Sequence, residues 1–248
     1  MSENYFLSRR SCRNFSTEKI SDTELEDIIR KAVKAPTCGN MQLYTIIATR
    51  EQESLKELSK LHYNQPAAST SPLILTICAD FNRVTKWCEI NNADAGYDNF
   101  HSFLNAMTDA VILAQQIVTI AELEGFGSCY LGTVVYNAKE ISQLLNLPEL
   151  VVPVASVALG IPEAEGEKTD RLPVEAVLNY EKYTERDDNE IKEIFKVHDE
   201  NPDNQKFVKE NGKDNLAQVF AEIRYPGALN RELSKKFIDL LKDKKFLS

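Results

Sequence analysis

Three guanidinium groups fall within five residues near the start of the chain, Arg9, Arg10 and Arg13, with the hydroxyl of Ser11 among them. A guanidinium stays charged at any working pH and pairs bidentately with phosphate. The chain as a whole carries a formal charge of −9, so the cluster runs against the trend. Two readings fit these residues: an anion site for a phosphate-bearing ligand, or a solvated basic patch. A second segment, Ala35-Pro36-Thr37-Cys38-Gly39-Asn40-Met41-Gln42, places short polar groups on a flexible backbone just after a predicted helix. Such groups can hydrogen-bond the edge of a flat heteroaromatic molecule, or simply form a polar loop.

Other chemistries find less support. There is no Gly-x-Ser-x-Gly elbow, and none of the three histidines (His62, His101, His198) has a neighbourhood marking it as a catalytic base. Carboxylates are too common here to be informative. The run Gly125-Phe-Gly127-Ser-Cys-Tyr-Leu-Gly132 fails as a dinucleotide fingerprint, because its third glycine is misplaced and it leads from a helix into a strand. No lysine follows a P-loop frame. The five cysteines (Cys12, Cys38, Cys78, Cys88, Cys129) are scattered with no Cys-x-x-Cys pair. Reduced, mostly buried thiols are therefore expected, and no metal site.

The elements that must position these residues follow from periodicity. Ser21 and Glu24 have the spacing of a capping box, and apolar residues from Leu25 to Val33 predict a helix over about 22–35 that Pro36 ends. Strands are predicted at 44–49, 73–79, 129–131 and 151–159, and helices at about 51–62, 81–90, 137–146 (capped by Asn137), 187–197 and 231–241. Residues 101–124 form a predicted helix apolar nearly all round, which belongs in the core or in a subunit interface. Residues 199–215 are polar with little to bury, so a mobile loop is expected there.

The length of 248 residues allows a sizeable core, and 43% hydrophobic with 27% charged residues is ordinary globular composition. The acidic balance argues against general nucleic-acid binding. No basic stretch followed by an apolar run opens the chain, and the longest apolar run, Ala110 to Ala114, is far too short to cross a bilayer. A soluble, cytoplasmic protein with no membrane partner is expected, folded as one α/β-type domain with a C-terminal arm.

Taken together, Arg9-x-Ser11-x-Arg13, Ala-Pro-Thr-Cys-Gly-Asn-Met-Gln, Gly-Phe-Gly-Ser-Cys-Tyr-Leu-Gly, Leu147-Pro148, Val152-Pro153-Val154 and Leu159-Gly160-Ile161-Pro162 resemble the FMN-dependent nitroreductase family in order and spacing. Cys78 to Arg83 and Arg171-Leu172-Pro173 are similar to its oxygen-insensitive NADPH nitroreductase and flavin reductase subgroup. The resemblance covers about residues 4–185.

It implies an α+β, three-layer α/β/α fold with a central mixed sheet and a buried dimer-interface helix. The division it suggests is an FMN-binding domain over 1–186 and a C-terminal helical arm over 187–248. It further implies a homodimer with FMN at the interface and NADPH or NADH as electron donor. Hydride would pass in ping-pong fashion through flavin N5 to a nitroaromatic, a quinone or another flavin. By the same resemblance Arg9, Arg10 and Ser11 lie near the flavin phosphate, with Arg171 and Lys168 completing the anion site, and Arg13 lies near flavin N1 and O2. Pro36, Thr37, Cys38, Asn40 and Gln42 reach the flavin of the other subunit, Gln65 meets the pyrimidine edge, and Tyr130, Leu131 and Gly132 lie near the N5 side. No side chain is required as acid or base, since the flavin carries the reactive centre. Two departures stand out: Thr169 occupies a position often held by lysine in the subgroup, and Cys38 one often held by serine. A specialised flavoenzyme of the same fold, such as a dehalogenase, and a flavin-binding protein without turnover are the alternatives.

Overall fold

The computed structural model describes residues 3–247. The elements, in order, are α1 (Glu3–Ser8), α2 (Asp22–Ala32), β1 (Tyr44–Thr49), α3 (Gln52–Leu61), α4 (Pro66–Thr70), β2 (Leu73–Asp80), α5 (Asn82–Ile90), α6 (Phe100–Leu123), β3 (Gly127–Tyr130), α7 (Ala138–Leu144), β4 (Val151–Gly160), α8 (Val174–Val177), α9 (Asp188–Asp199), α10 (Pro202–Glu210), α11 (Leu216–Gln218) and α12 (Gly227–Asp243). Short 3-10 turns occupy Cys38–Asn40 and Gly132–Val135.

The chain divides into two compact units. One runs to Glu167 and resumes at Lys235; the other is Lys168–Ser234. This differs from the expected division at residue 186. The α+β class holds, but the sheet is not mixed: β1–β2, β2–β4 and β3–β4 all pair antiparallel, in the order β1-β2-β4-β3. Central β2 is buried along its whole length, as a strand covered on both faces must be. Beside it, Pro153 on β4 coincides with a register shift at Ile77/Cys78. A bulge is where a strand tolerates a residue without an N–H.

Helices cover both faces of this sheet, giving three layers. On one side α2 and α6 pack Ile28, Ala32, Leu113, Ile117 and Val118 against Leu75, Ile77, Ala155 and Val157. On the other, Leu58 of α3, Ala67 and Ala68 of α4 and Ile141 of α7 pack against Ile74, Cys129 and Ala158. Helix α2 opens with the expected capping box, Glu24 N–H donating to Ser21 Oγ at 3.2 Å and Ser21 N–H to Glu24 Oε2 at 2.8 Å. It stops at Ala32, short of the expected 35; Pro36 has no N–H to offer the Ala32 carbonyl four residues back, and its ring would clash with it. Asn137 does not cap α7 with its side chain; its Nδ2 donates instead to Leu61 O at 2.6 Å.

Helix α6 is long and apolar enough to cross a membrane by length and composition. In this fold one face is buried in the core, with Ala106, Ala110, Leu113, Ala114 and Ile117 fully covered. Its other face leaves Leu104, Val111 and Ile112 partly exposed, Val111 at 46%.

The second unit corrects the expected polar loop. Residues 202–210 form α10, started by Asn201, whose side chain accepts from Asp203 N–H, and by Pro202 in the first turn. Phe207 on α10 receives Arg224 over its ring at 4.7 Å, and Lys213 pairs with Glu222 at 2.6 Å. These contacts tie a polar segment to its neighbours without burying any residue of α10.

Candidate functional site

The segment carrying the arginines is held against the edge strand β3. Cys12 N–H donates to Ser128 O at 2.8 Å, and Phe15 forms a bridge with Pro162. Gly127 makes this approach possible: a Cβ there would lie 2.7 Å from Cys12 Cβ and 2.9 Å from its Sγ, distances that side chains do not tolerate. Arg9 is oriented by Glu122 near the end of α6, Nε to Oε2 at 3.2 Å. Glu122 also accepts from Tyr5 OH at 2.7 Å and from Ser128 Oγ. Burial, then the bond to Glu122 and its charge, push the Tyr5 hydroxyl up to about 12.

Arg10 pairs with Glu165 at 2.7 Å and with Gly166 O at 3.2 Å, at the surface. Gly166 in turn approaches the Ser11 backbone so closely that a Cβ would meet Ser11 O at 2.2 Å. Arg13 is exposed and, among the described residues, has no hydrogen bond or ion pair. It lies close enough to Cys129 to draw that thiol down, along with Arg9, against the larger upward push of burial. Tyr130 ends β3 and is partly exposed, and Leu131, just after it, is buried. The space where a side chain on Gly132 would stand is open, with nothing within 4 Å.

Gln65 belongs with this group. It starts α4, its carbonyl accepting from Ala68 and Ser69 N–H at 2.8 and 2.9 Å. Its side chain is exposed.

The second loop is built separately. Thr37, Cys38, Asn40 and Gln42 follow the exposed Pro36, with Gly39, Asn40 and Gln42 at φ of 55°, 57° and 54°. Two non-glycine residues in the left-handed region need outside support. Asp109, buried on α6 at 2% exposure, provides it: Oδ1 accepts from Cys38 N–H at 2.8 Å and Oδ2 from Leu43 N–H at 3.2 Å. Arg83 clamps the far end, donating to Gln42 O at 2.6 Å and Tyr44 O at 3.0 Å. Burial, and then the Asp109 charge, raise the Tyr44 phenol above its ordinary value, and its buried OH has no partner. Cys38 is exposed, while the other four cysteines are buried and all five are unpaired. Burial drives Cys78 up to about 12, so it is a thiol and not a nucleophile.

The expected residues of the first unit therefore fall into two groups, as the resemblance implied for the Pro36–Gln42 loop. Arg9, Arg10, Ser11, Arg13, Gln65, Tyr130, Leu131 and Gly132 gather around β3 and the turn after it. Pro36 to Gln42 hang from Asp109. The two anchors on α6, Asp109 and Glu122, are about 13 residues apart, which on a helix is about 20 Å. Lys168 and Arg171 lie in the second unit, both exposed, where Arg171 donates to Thr169 Oγ1 at 2.6 Å and Asp170 O at 2.8 Å. Sequence reasoning missed Asp109, Glu122 and Arg83. Asp109 carried a signal, a lone carboxylate within an otherwise apolar helix face.

Comparison with known proteins places the chain in a family. The Nitroreductase family model matches residues 7–161. A Bacillus subtilis (strain 168) protein named FMN reductase (NAD(P)H) is 31% identical over 225 residues, covering 88% of this chain and 90% of the relative. A Cr(VI) reductase of Pseudomonas sp. (strain G-1) is 34% identical over 180 residues, covering 71% of this chain and 74% of the relative. A crystal structure from Bacteroides fragilis NCTC 9343 superposes with a TM-score of 0.97 at 38% identity, covering 99% of this chain and 100% of that one. By its family match, its relatives and its fold, the chain belongs to the nitroreductase family.

Proposed function

We propose that the protein is an FMN-dependent NAD(P)H oxidoreductase working as a homodimer with a site at each subunit junction. The observation that carries the reading is the unpaired Arg13 beside β3, next to an oriented Arg9 and the open space over Gly132. A cation with no partner among the described residues, beside open space, is the kind of group that a phosphate-bearing, electron-rich ring system needs. When bound, FMN supplies hydride acceptance from NAD(P)H and delivery to a nitroaromatic, a quinone or another flavin.

The residues' own work is binding and positioning. Arg9 and Ser11, with Arg10 released from Glu165 or shared with it, would hold the phosphate. Arg13 would set a positive charge where the reduced ring gathers negative charge, favouring reduction. Gln65 and the backbone at Tyr130–Gly132 would orient the ring edge.

The two-group layout supports a dimer. The loop Pro36–Gln42 and the arginine group hang from anchors about 20 Å apart on one helix, and a second copy can present the loop of one chain to the arginine group of the other. The exposed Leu104, Val111 and Ile112 of α6 and Trp87 and Ile90 of α5, the last two at 65% and 81% exposure, provide apolar surface for that contact.

The test is an absorbance spectrum of the purified protein, followed by anaerobic addition of NADPH and, separately, NADH. Flavin bands that bleach and return with a nitrofuran or quinone support the enzyme, and the relative rates rank the donors. Bands that never bleach leave a flavin-binding protein. No bands before or after adding FMN refute the reading. Sedimentation at several concentrations tests the dimer.

A further inference from the structure

His62 is the one fully buried histidine, at 0% exposure, and nothing in the proposed chemistry uses it. It follows the last residue of α3 and sits at the junction of two cofactor-facing segments. Its N–H donates to Ser59 O at 2.9 Å, and its carbonyl accepts from Gln65 N–H at 3.2 Å. Between them Tyr63 and Asn64 take φ of 56° and 49°, so this short turn is held in the left-handed region at two consecutive non-glycine residues. Its ring shares a hydrogen bond between Nδ1 and Thr133 Oγ1 at 2.8 Å. Thr133 is the residue after Gly132, and its carbonyl accepts from Tyr136 N–H at 3.0 Å. A second strap runs in parallel, from Asn137 Nδ2 to Leu61 O at 2.6 Å.

We propose that His62 is a positioning residue that fixes the turn carrying Gln65 against the turn carrying Leu131 and Gly132. An apolar side chain could fill the same buried volume; what the imidazole adds is the bond to Thr133. That bond joins two segments about 70 residues apart in sequence that no strand pairing connects. The ring is neutral, since burial draws His62 down to about 4, so it works as a fixed hydrogen-bonding strut and not as a proton carrier. Among the described residues its Nε2 has no hydrogen-bond partner, so the bond to Thr133 is what orients it. The reading rests on the proposed flavin site, because it assigns the strut to the spacing between two of that site's contacts.

The experiment is a double-mutant cycle on the holoenzyme, His62→Leu with Thr133→Val, read by FMN dissociation constant, with His62→Asn as the conservative variant. Leu keeps the volume and removes the bond; Asn keeps a polar atom near the place of Nδ1. Each single apolar variant should weaken FMN about tenfold, the double variant should be no worse than either single, and His62→Asn should recover most of the affinity. Hydrogen exchange in the FMN-free protein should quicken together at the Gln65 and Gly132–Val134 amides in His62→Leu, but not at Cys38 or Leu43. Additive effects in the cycle, or singles within twofold of the parent, overturn the proposal. A parent that binds no FMN refutes the flavin reading instead. In that case the exchange data decide the strut: unlinked exchange at the two turns removes it.

Discussion

Asp109→Asn isolates the support beneath the loop Thr37–Gln42. In the parent both carboxylate oxygens accept a backbone N–H, from Cys38 at 2.8 Å and Leu43 at 3.2 Å, inside a site where Asp109 is 2% exposed. Asparagine keeps one oxygen and turns an NH2 toward the other donor. One buried N–H then faces a donor and loses its partner, which costs about 1–3 kcal/mol. The loop already carries left-handed backbone at Asn40 and Gln42, so it has little reserve against that loss. If about 2 kcal/mol is taken from the closed loop, the binding-competent fraction falls by up to about 30-fold, and the apparent FMN dissociation constant rises by the same factor. The assay is flavin-fluorescence titration beside hydrogen exchange of the FMN-free protein. Exchange at the Cys38 and Leu43 amides should quicken while the β2 and β4 amides stay protected. Unchanged exchange at both amides with unchanged FMN affinity would refute the claim that Asp109 holds this loop. Loosened amides with unchanged affinity would instead remove the loop from the flavin site.

Three further outcomes are expected. Arg13→Ala should weaken FMN by about 10- to 100-fold, the loss of a charge-assisted contact worth about 1.5–3 kcal/mol, and leave the melting temperature of the FMN-free protein unchanged because Arg13 has no partner among the described residues. Gly127→Ala should push the arginine segment off β3, since its Cβ would overlap Cys12; a loss of about 1–3 kcal/mol in urea unfolding should accompany the loss of FMN. Acid stability should report His62. Its pKa falls from 6.5 to about 4 on burial, so the unfolded chain binds the extra proton first, and stability drops as pH falls from about 6.5 toward 4, by about 3 kcal/mol from this group. Urea midpoints measured against pH should show a shallower acid limb in His62→Leu; an unaltered limb would place the titration elsewhere.

Much of the local structure was readable before any coordinates. The Ser21/Glu24 box, the β-branched run that became β1 and the apolar stretch that became α6 are set by groups within a turn or two of each other, where backbone geometry and periodicity decide the outcome. Helix α10 was missed: the polar composition of 199–215 reads as a loop, whereas Asn201 caps a helix there, and Phe207 under Arg224 and Lys213 beside Glu222 are contacts a composition argument does not see. The arginine group and the Pro36–Gln42 loop were likewise visible as chemistry.

What the sequence by itself determined is which residue types are on offer and which short elements they build. Tertiary structure alone decided how they are held: that Asp109 reaches Cys38 and Leu43, that Glu122 turns Arg9, that Gly127 admits Cys12, and that His62 meets Thr133. It also decided that the strand pairings among the described residues are antiparallel and that the arginine segment and the Pro36–Gln42 loop hang from separate anchors. The physical reason is range. Caps and helix faces are fixed by neighbours three or four residues away, whereas a buried carboxylate or imidazole must find its partner across the folded chain, and only the packed sheet and helices bring such groups within bonding distance.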